Sequence, residues 1–252
     1  MWSVGKWFGA DRSEPSHRQD SSPGSPLTAT RYDEQYYREH AEAGLDYLNH
    51  GFWHESYARM VSETTLQEAY PKPFAIDAGC ACGSILKGFK DLPVYDRVLG
   101  VDLSDHMVAL GRKRFGFADS ELMAGSIANL PVESGAVSLV HSAQVLEHIP
   151  DVMVDAILDE FARVLRPGGR AFLCLDAMRT GETKEMYMGD PTHVNIQPVL
   201  YWTKKLQRRG LLFDIEAYNR FARSRLGPTD GDPRSFYESY PNWSAWTLIR
   251  SD

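Results

Sequence analysis

Two carboxylates end short apolar runs in the middle of the chain, and their spacing suggests a bound nucleoside. Residues 74–76 run into Asp77, and residues 98–101 run into Asp102, 25 residues later. Short apolar runs of this kind predict buried strands of a parallel sheet. In nucleotide-binding α/β units, an acidic residue about 20 residues after the first strand binds the ribose hydroxyls. The pattern therefore indicates an adenosine-containing cofactor.

A loop of very small residues, 79–83, joins the first strand to an amphipathic segment. Small residues let a backbone approach a ligand closely, and the start of the following helix attracts polar groups. A dinucleotide-binding loop needs glycines spaced G-x-G-x-x-G, so that a pyrophosphate can lie beside the backbone. Here Ala81 and Ser84 stand where the second and third glycines would be. The loop therefore argues against a nicotinamide-dependent oxidoreductase.

The segment Asp77-x-Gly79-Cys80-Ala81-Cys82-Gly83 resembles the D-x-G-C-G-x-G loop of class I S-adenosylmethionine methyltransferases, with Ala81 replacing the middle glycine. Further segments match the family in order. Residues 100–104 are similar to its second motif and residues 124–131 to its adenine-side loop. Residues 145–150 and 163–170 are similar to the segments that follow its fourth strand and precede its fifth. The resemblance points to the members that act on small molecules.

This resemblance implies that S-adenosylmethionine is the cofactor and S-adenosylhomocysteine the product. Asp102 would bind the ribose hydroxyls, and Asp77 the methionine ammonium. Ser126 and Ile127 would meet the adenine. The residues that the resemblance places at the cofactor are Asp77, Gly79, Cys80, Ala81, Gly83, Asp102, Leu103, Ser126, Ile127, Ser142, Gln144, Tyr32 and Tyr37. The two tyrosines would close over the methionine carboxylate, or would only pack an N-terminal helix.

The acceptor site is predicted in residues 189–198, which follow the fifth strand and place an imidazole among carboxylate, hydroxyl and amide groups. His193 could take a proton from an acceptor hydroxyl or ammonium, with Asp190 holding its tautomer. His148 is a second candidate, because it follows the fourth strand. Alternatively His193 only pins its loop. No metal is expected, since Cys80 and Cys82 have no second ligand pair at zinc spacing.

Alternating strand and helix patterns predict a parallel, doubly wound α/β fold. The resemblance implies that its sheet is seven-stranded and mostly parallel, in a three-layer architecture. Ser104 should cap a helix that ends at Phe115 before Gly116. The last two strands, expected near 211–218 and 244–250, resemble the antiparallel hairpin that closes the family's sheet. The other predicted elements are strands near 74–77, 97–102, 120–123, 137–142 and 170–175, and helices at 84–91, from Asp151, and at 198–209.

Three regions are expected along the chain. Residues 1–30 form a flexible tail, because residues 20–26 are polar and rich in turn formers. Residues 31–70 have helical spacing and form a helical cap. Residues 71–252 form the methyltransferase domain, with insertions at about 178–197 and 219–243.

Composition restricts the class of protein. The 252 residues, 43% of them hydrophobic, suffice for one large α/β domain. A net charge of −7 opposes binding of nucleic-acid phosphates, so no nucleic acid is expected as substrate. No apolar run reaches the roughly 18 residues of a membrane span, and the three cysteines give an odd count. We therefore expect a cytoplasmic protein.

Three functions are compatible with these features. The first is methyl transfer to an oxygen or nitrogen of a small polar metabolite, which would be the protein's partner. The second is a non-catalytic S-adenosylmethionine-binding regulator or partner subunit of the same fold. The third is the oxidoreductase that the loop spacing disfavours. Assembly into a homo-oligomer is open in each case.

Overall fold

The computed structural model describes residues 32–42, 51–66, 71–187, 192–224 and 243–251. The strands of these segments are β1 Phe74–Ala78, β2 Arg97–Asp102, β3 Leu122–Ala124, β4 Val137–Ala143, β5 Leu165–Asp176, β6 Leu211–Phe213 and β7 Trp243–Arg250. Within the described residues they form one seven-stranded sheet in the order β3-β2-β1-β4-β5-β7-β6. Strands β1 to β5 are parallel, and β7 is antiparallel to β5 and β6. The predicted sheet architecture is confirmed.

Helices cover both faces of this sheet. The helices of the described segments are α1 Glu34–Glu42, α2 Gly51–Thr65, α3 Ser84–Asp91, α4 Asp105–Phe115, α5 Asp151–Val164, α6 Val199–Gln207 and α7 Ile215–Ala222. Successive strand residues face opposite layers, as the two-residue period of a strand requires. In β1, Ala75 packs in the cluster that includes Phe89 of α3, whereas Ile76 packs in the cluster that includes Phe161 of α5.

The helix α4 begins and ends at the predicted residues because of its caps. Ser104 Oγ accepts a hydrogen bond from Met107 N at 3.3 Å. At the other end Gly116 has a φ of 70°, and its N–H donates to Arg112 O at 3.0 Å. A serine N-cap and a left-handed glycine satisfy backbone groups that a helix terminus leaves open.

The predicted strand at 211–218 is wrong beyond Phe213. Asp214 caps a helix instead: its Oδ1 accepts a hydrogen bond from Ala217 N at 2.9 Å, and α7 follows. The side chain of Asp214 therefore stops the strand and starts the helix. Residues 219–222 of the predicted insertion belong to α7, and residues 225–242 lie outside the described residues, as does the predicted tail at 1–30.

The helix α2 is part of a helical layer. It contacts α3 and α7, and its residues Tyr57, Met60 and Val61 are buried in the same cluster as Phe89 and Phe221. None of the helices within the described segments has the length and apolar character needed to cross a bilayer.

The strand order reverses between β1 and β4, and this reversal fixes where a ligand can bind. From β1 the chain proceeds outward to β2 and β3, and it then returns to place β4 on the other side of β1. In open α/β sheets the crevice at the carboxyl ends of the strands beside such a reversal is the usual ligand site. The loops after β1, β2 and β4 meet there.

Candidate active site

The loop between β1 and α3 adopts a backbone that favours glycine. Gly79, Ala81 and Gly83 have φ values of 78°, 48° and 75°. A Cβ at Gly79 would lie 2.4 Å from Val145 Cγ2, so only glycine fits there. Ala81 adopts the left-handed conformation with a side chain, at a cost of about 1–2 kcal/mol. The chain thus keeps the loop's shape despite the missing glycine.

Asp102, at the carboxyl end of β2, holds this loop in place. Its Oδ2 accepts a hydrogen bond from Ala81 N at 2.7 Å, and its Oδ1 accepts one from Ser104 N at 2.8 Å. Burial raises the pKa of Asp102, although both hydrogen bonds oppose this rise. Each carboxylate oxygen has a second lone pair, so the side chain can still accept hydrogen bonds from a ligand.

The carboxylate of Asp77 contacts a buried histidine. Asp77 in β1 and His141 in β4 are paired in register, and His141 Nδ1 lies 2.7 Å from Asp77 Oδ1. On its other side His141 Nε2 lies 3.2 Å from the hydroxyl of Tyr57 in α2. All three side chains are buried. This chain of contacts fixes the Asp77 carboxylate. The sequence analysis missed His141 and Tyr57, although a histidine within an apolar strand is an available signal.

The residues after β4 carry a strained backbone and a buried polar group. Gln144 has a φ of 56°, and its N–H donates to Cys174 O at 2.7 Å. Its Nε2 atom is buried and has no hydrogen-bond partner among the described residues. Nearby, the Ser142 hydroxyl donates to Ala78 O at 2.8 Å, so its proton braces β1. A strained residue with an unpaired buried amide is typical of a ligand site.

His148 and His193, which are far apart in sequence, lie together beside this point. Their ring centroids are 4.7 Å apart at an interplanar angle of 72°. His148 Nδ1 lies 2.8 Å from Thr192 Oγ1. His193 Nδ1 donates to Tyr187 O at 3.0 Å. Because a carbonyl oxygen only accepts, Nδ1 of His193 carries the proton and its Nε2 carries the lone pair.

Two acidic residues, Glu147 and Asp176, lie beside the histidines. Glu147 is fully buried, and its backbone carbonyl accepts hydrogen bonds from Val194 N at 3.1 Å and Asn195 N at 2.9 Å. These bonds tie the segment after Thr192 to the turn that follows β4. Asp176, at the end of β5, places its Oδ2 3.7 Å from His193 Nδ1. Asp190, the carboxylate predicted to serve His193, lies outside the described residues.

Part of the chain matches a known protein family. Residues 75–169, which contain the loop, Asp102, Gln144 and His148, match the family model described as a methyltransferase domain. This match supports a class I S-adenosylmethionine-dependent methyltransferase domain in these residues. The predicted family and its cofactor, S-adenosylmethionine, are thereby confirmed.

Several proteins of known sequence or structure are similar to this chain. The demethylmenaquinone methyltransferase of Symbiobacterium thermophilum is 26% identical over 170 residues, which are 63% of this chain and 65% of that protein. The fold is similar to geranyl diphosphate C-methyltransferase from Streptomyces coelicolor, solved with S-adenosyl-L-homocysteine, at a TM-score of 0.56 and 19% identity, covering 77% of this chain and 78% of that one. The [4+2]-cyclase SpnF has the same fold at a TM-score of 0.55 and 19% identity, covering 78% and 80%. The matched region covers 30% of the length of the first of the curated relatives and 65% of the length of the second.

The described residues fit S-adenosylmethionine. The left-handed loop packs against Val145 so closely that Gly79 carries no side chain, Asp102 can accept from hydroxyls, and the buried Gln144 amide lacks a partner among the described residues. Bound S-adenosylmethionine supplies an electrophilic methyl group on its sulfonium. Asp102 would hold the ribose, and Gln144 the methionine end.

Tyr32, the first described residue, reaches both sides of the crevice. Tyr32 O accepts a hydrogen bond from Ser104 Oγ at 2.5 Å, and the Tyr32 ring lies edge-on to His148 at 6.4 Å. Tyr37 packs edge-on against Tyr36, with ring centroids 5.0 Å apart. The structure thus places Tyr32 against both the end of β2 and the histidine cluster, and gives Tyr37 an aromatic neighbour in its own helix.

The remaining predicted cofactor residues differ in exposure. Ser126 is exposed, and its Oγ accepts from Ala128 N at 3.2 Å, whereas Ile127 is buried in the core and Leu103 is half-buried. Burial raises the pKa of Cys82 to about 11 and also raises that of Cys80, which is near Asp77 and Asp102. Both cysteines therefore stay uncharged thiols at neutral pH, in keeping with a packing role in the loop.

Proposed function

We propose that this methyltransferase transfers the methyl group of S-adenosylmethionine to an oxygen or nitrogen of a small polar metabolite. The observation that carries the proposal is the juxtaposition of His148 and His193, the first of which follows the strained residue Gln144 by four positions. Methyl transfer needs no nucleophilic side chain, because the sulfonium makes the methyl group electrophilic. The protein has to align the acceptor atom and provide a place for its proton.

His193 is suited to take that proton. Its Nε2 carries the lone pair, and its Nδ1 proton is held by Tyr187 O. Asp176, 3.7 Å away, would stabilise the imidazolium that forms. The acceptor O–H or N–H bond breaks as the new bond to the methyl carbon forms, the C–S bond of the cofactor breaks, and neutral S-adenosylhomocysteine leaves. His148, bonded to Thr192, would orient the acceptor.

The proposal of a small polar acceptor is supported by the chain's own charges. The net charge of −7 disfavours polyanionic macromolecules, and the cluster offers imidazole and carboxylate groups to hydroxyl or amino substituents. The relatives named above act on demethylmenaquinone and on geranyl diphosphate, so a quinol and a prenyl diphosphate belong among the acceptors to be tested.

The test is a screen for S-adenosylhomocysteine release with sugars, amines, phenols, a quinol and a prenyl diphosphate as acceptors. We expect turnover with a hydroxyl or amine acceptor, and a loss of about 100-fold or more in His193→Gln. His106→Gln, on α4, is the matched histidine control and should remain active. Transfer only to carbon acceptors would contradict the proposal. Cofactor binding without transfer to any acceptor would favour a non-catalytic binding protein.

A further inference from the structure

We propose that Glu147, His148 and His193 bind a divalent transition-metal cation. One carboxylate oxygen of Glu147 and one ring nitrogen of each histidine all lie within 4.8 Å of one another. Nitrogen and oxygen ligands about 2.1 Å from a shared ion lie roughly 3–4 Å apart. Small side-chain rotations would therefore bring the three atoms around one ion.

The residues around these three side chains hold them in fixed orientations. Glu147 is fully buried, and its Oε1 accepts a hydrogen bond from Asp176 N at 3.3 Å; a cation beside the carboxylate would further offset the cost of burying its charge. The Nδ1–H of His193 donates to a backbone carbonyl, which is the usual outer contact of a metal-binding histidine and leaves Nε2 as the ligand atom. His148 Nδ1 is likewise fixed, against Thr192 Oγ1.

The ligand types indicate which cations fit. Two imidazoles with one carboxylate favour Zn²⁺, Mn²⁺ or Fe²⁺ over Mg²⁺ and Ca²⁺, which prefer oxygen ligands alone. Three protein ligands leave open positions for water or a substrate oxygen. The sequence gives no metal motif, because His193 is 45 residues from His148 and reaches it only through the pairing of β4 with β5.

A cation here would change how an acceptor is activated, a consequence that rests on the proposed function. An acceptor hydroxyl bound to the cation would release its proton to solvent more readily, because the metal stabilises the alkoxide. The alkoxide oxygen would then attack the methyl carbon as the C–S bond breaks. In this state His193 is a ligand, and in the metal-free state its Nε2 remains the base.

Direct metal binding tests the site without cofactor or acceptor. The full chain is first treated with a chelator and then titrated with Mn²⁺, with free Mn²⁺ measured by electron paramagnetic resonance and Zn²⁺ added as a competitor. We expect one Mn²⁺ per chain, displaced by one Zn²⁺. Glu147→Gln and His193→Gln should each raise the Kd at least about 10- to 100-fold. His106→Gln should bind as the unaltered chain does.

Thermal unfolding of each variant shows whether it is folded, and two separate ligand variants keep the test valid if one is not. Absence of saturable binding of both Mn²⁺ and Zn²⁺ would overturn the proposal, as would unaltered affinity in a folded Glu147→Gln or His193→Gln protein. Because neither S-adenosylmethionine nor an acceptor is present, failure of this test leaves the proposed methyl transfer open, and failure of methyl transfer leaves the metal site open.

Discussion

Gly79 is the residue of the cofactor loop whose replacement has the most calculable effect. Two separate penalties apply to Gly79→Ala. A φ of 78° costs a residue with a Cβ about 1–2 kcal/mol, and a Cβ only 2.4 Å from Val145 Cγ2 forces repacking worth about 1–3 kcal/mol. We therefore expect the free energy of unfolding to fall by about 2–5 kcal/mol.

Gly116→Ala separates the two penalties. Gly116 has a similar φ of 70°, but a Cβ there would have no atom within 4 Å. This variant should lose only the backbone part, about 1–2 kcal/mol. Val145→Ala in the Gly79→Ala background should restore part of the loss, because it removes the atoms that the new Cβ meets.

The assay is urea unfolding of the cofactor-free chain, followed by tryptophan fluorescence. The four proteins Gly79→Ala, Val145→Ala, the double variant and Gly116→Ala are compared with the unaltered chain. Gly79→Ala should be clearly less stable than Gly116→Ala, and the double variant less damaged than the sum of its single changes by at least about 1 kcal/mol. Equal losses at the two glycines, or strict additivity, would refute the close approach to Val145.

Three other variants test the account. Asp102→Ala should weaken S-adenosylmethionine binding by about 1.5–3 kcal/mol, through lost charged hydrogen bonds, and unchanged affinity in calorimetry would remove the ribose role. His193→Gln should lower turnover while leaving the Kd for cofactor within about twofold; a parallel loss of cofactor affinity would point to a structural role. Asp214→Ala should cost about 3–5 kcal/mol, because it leaves Arg170 buried without its 2.7 Å partner. Burial opposes ionisation of Asp214, but its hydrogen bonds and the charge of Arg170 lower the pKa of its carboxyl group. The stabilisation by Asp214 is therefore present above about pH 3.9 and is lost as the pH falls through the pKa of the folded state. An Asp214→Ala protein with the same acid unfolding profile as the unaltered chain would contradict this.

Local chemistry explains which elements the sequence predicts well. The boundaries of α4 follow from Ser104 and Gly116, whose effects act within a single turn. The strand predicted at 211–218 is wrong beyond Phe213 because a short apolar run with alternating polar residues is compatible with a strand or a helix. The hydrogen bond from Ala217 N to Asp214 stabilises the helix.

The candidate site depends on contacts that no local pattern encodes. The loop and Asp102 are visible in sequence because strand ends and small residues mark them. The contact of His141 with Asp77 needs the register of β1 against β4, 64 residues apart. The approach of His148 to His193 likewise needs β5 to lie beside β4. Both contacts depend on the order of the strands in the sheet, and the order of motifs along the sequence indicates this strand order only indirectly.

Cofactor binding is the most direct test of the central claim. The full chain would be titrated calorimetrically with S-adenosylmethionine, S-adenosylhomocysteine and a reduced nicotinamide cofactor in parallel. The structure predicts micromolar binding of the first two and none of the third, since the loop lacks the glycine spacing for a pyrophosphate. Binding of the nicotinamide cofactor, or of none of the three, would contradict the assignment of the loop and Asp102 to S-adenosylmethionine.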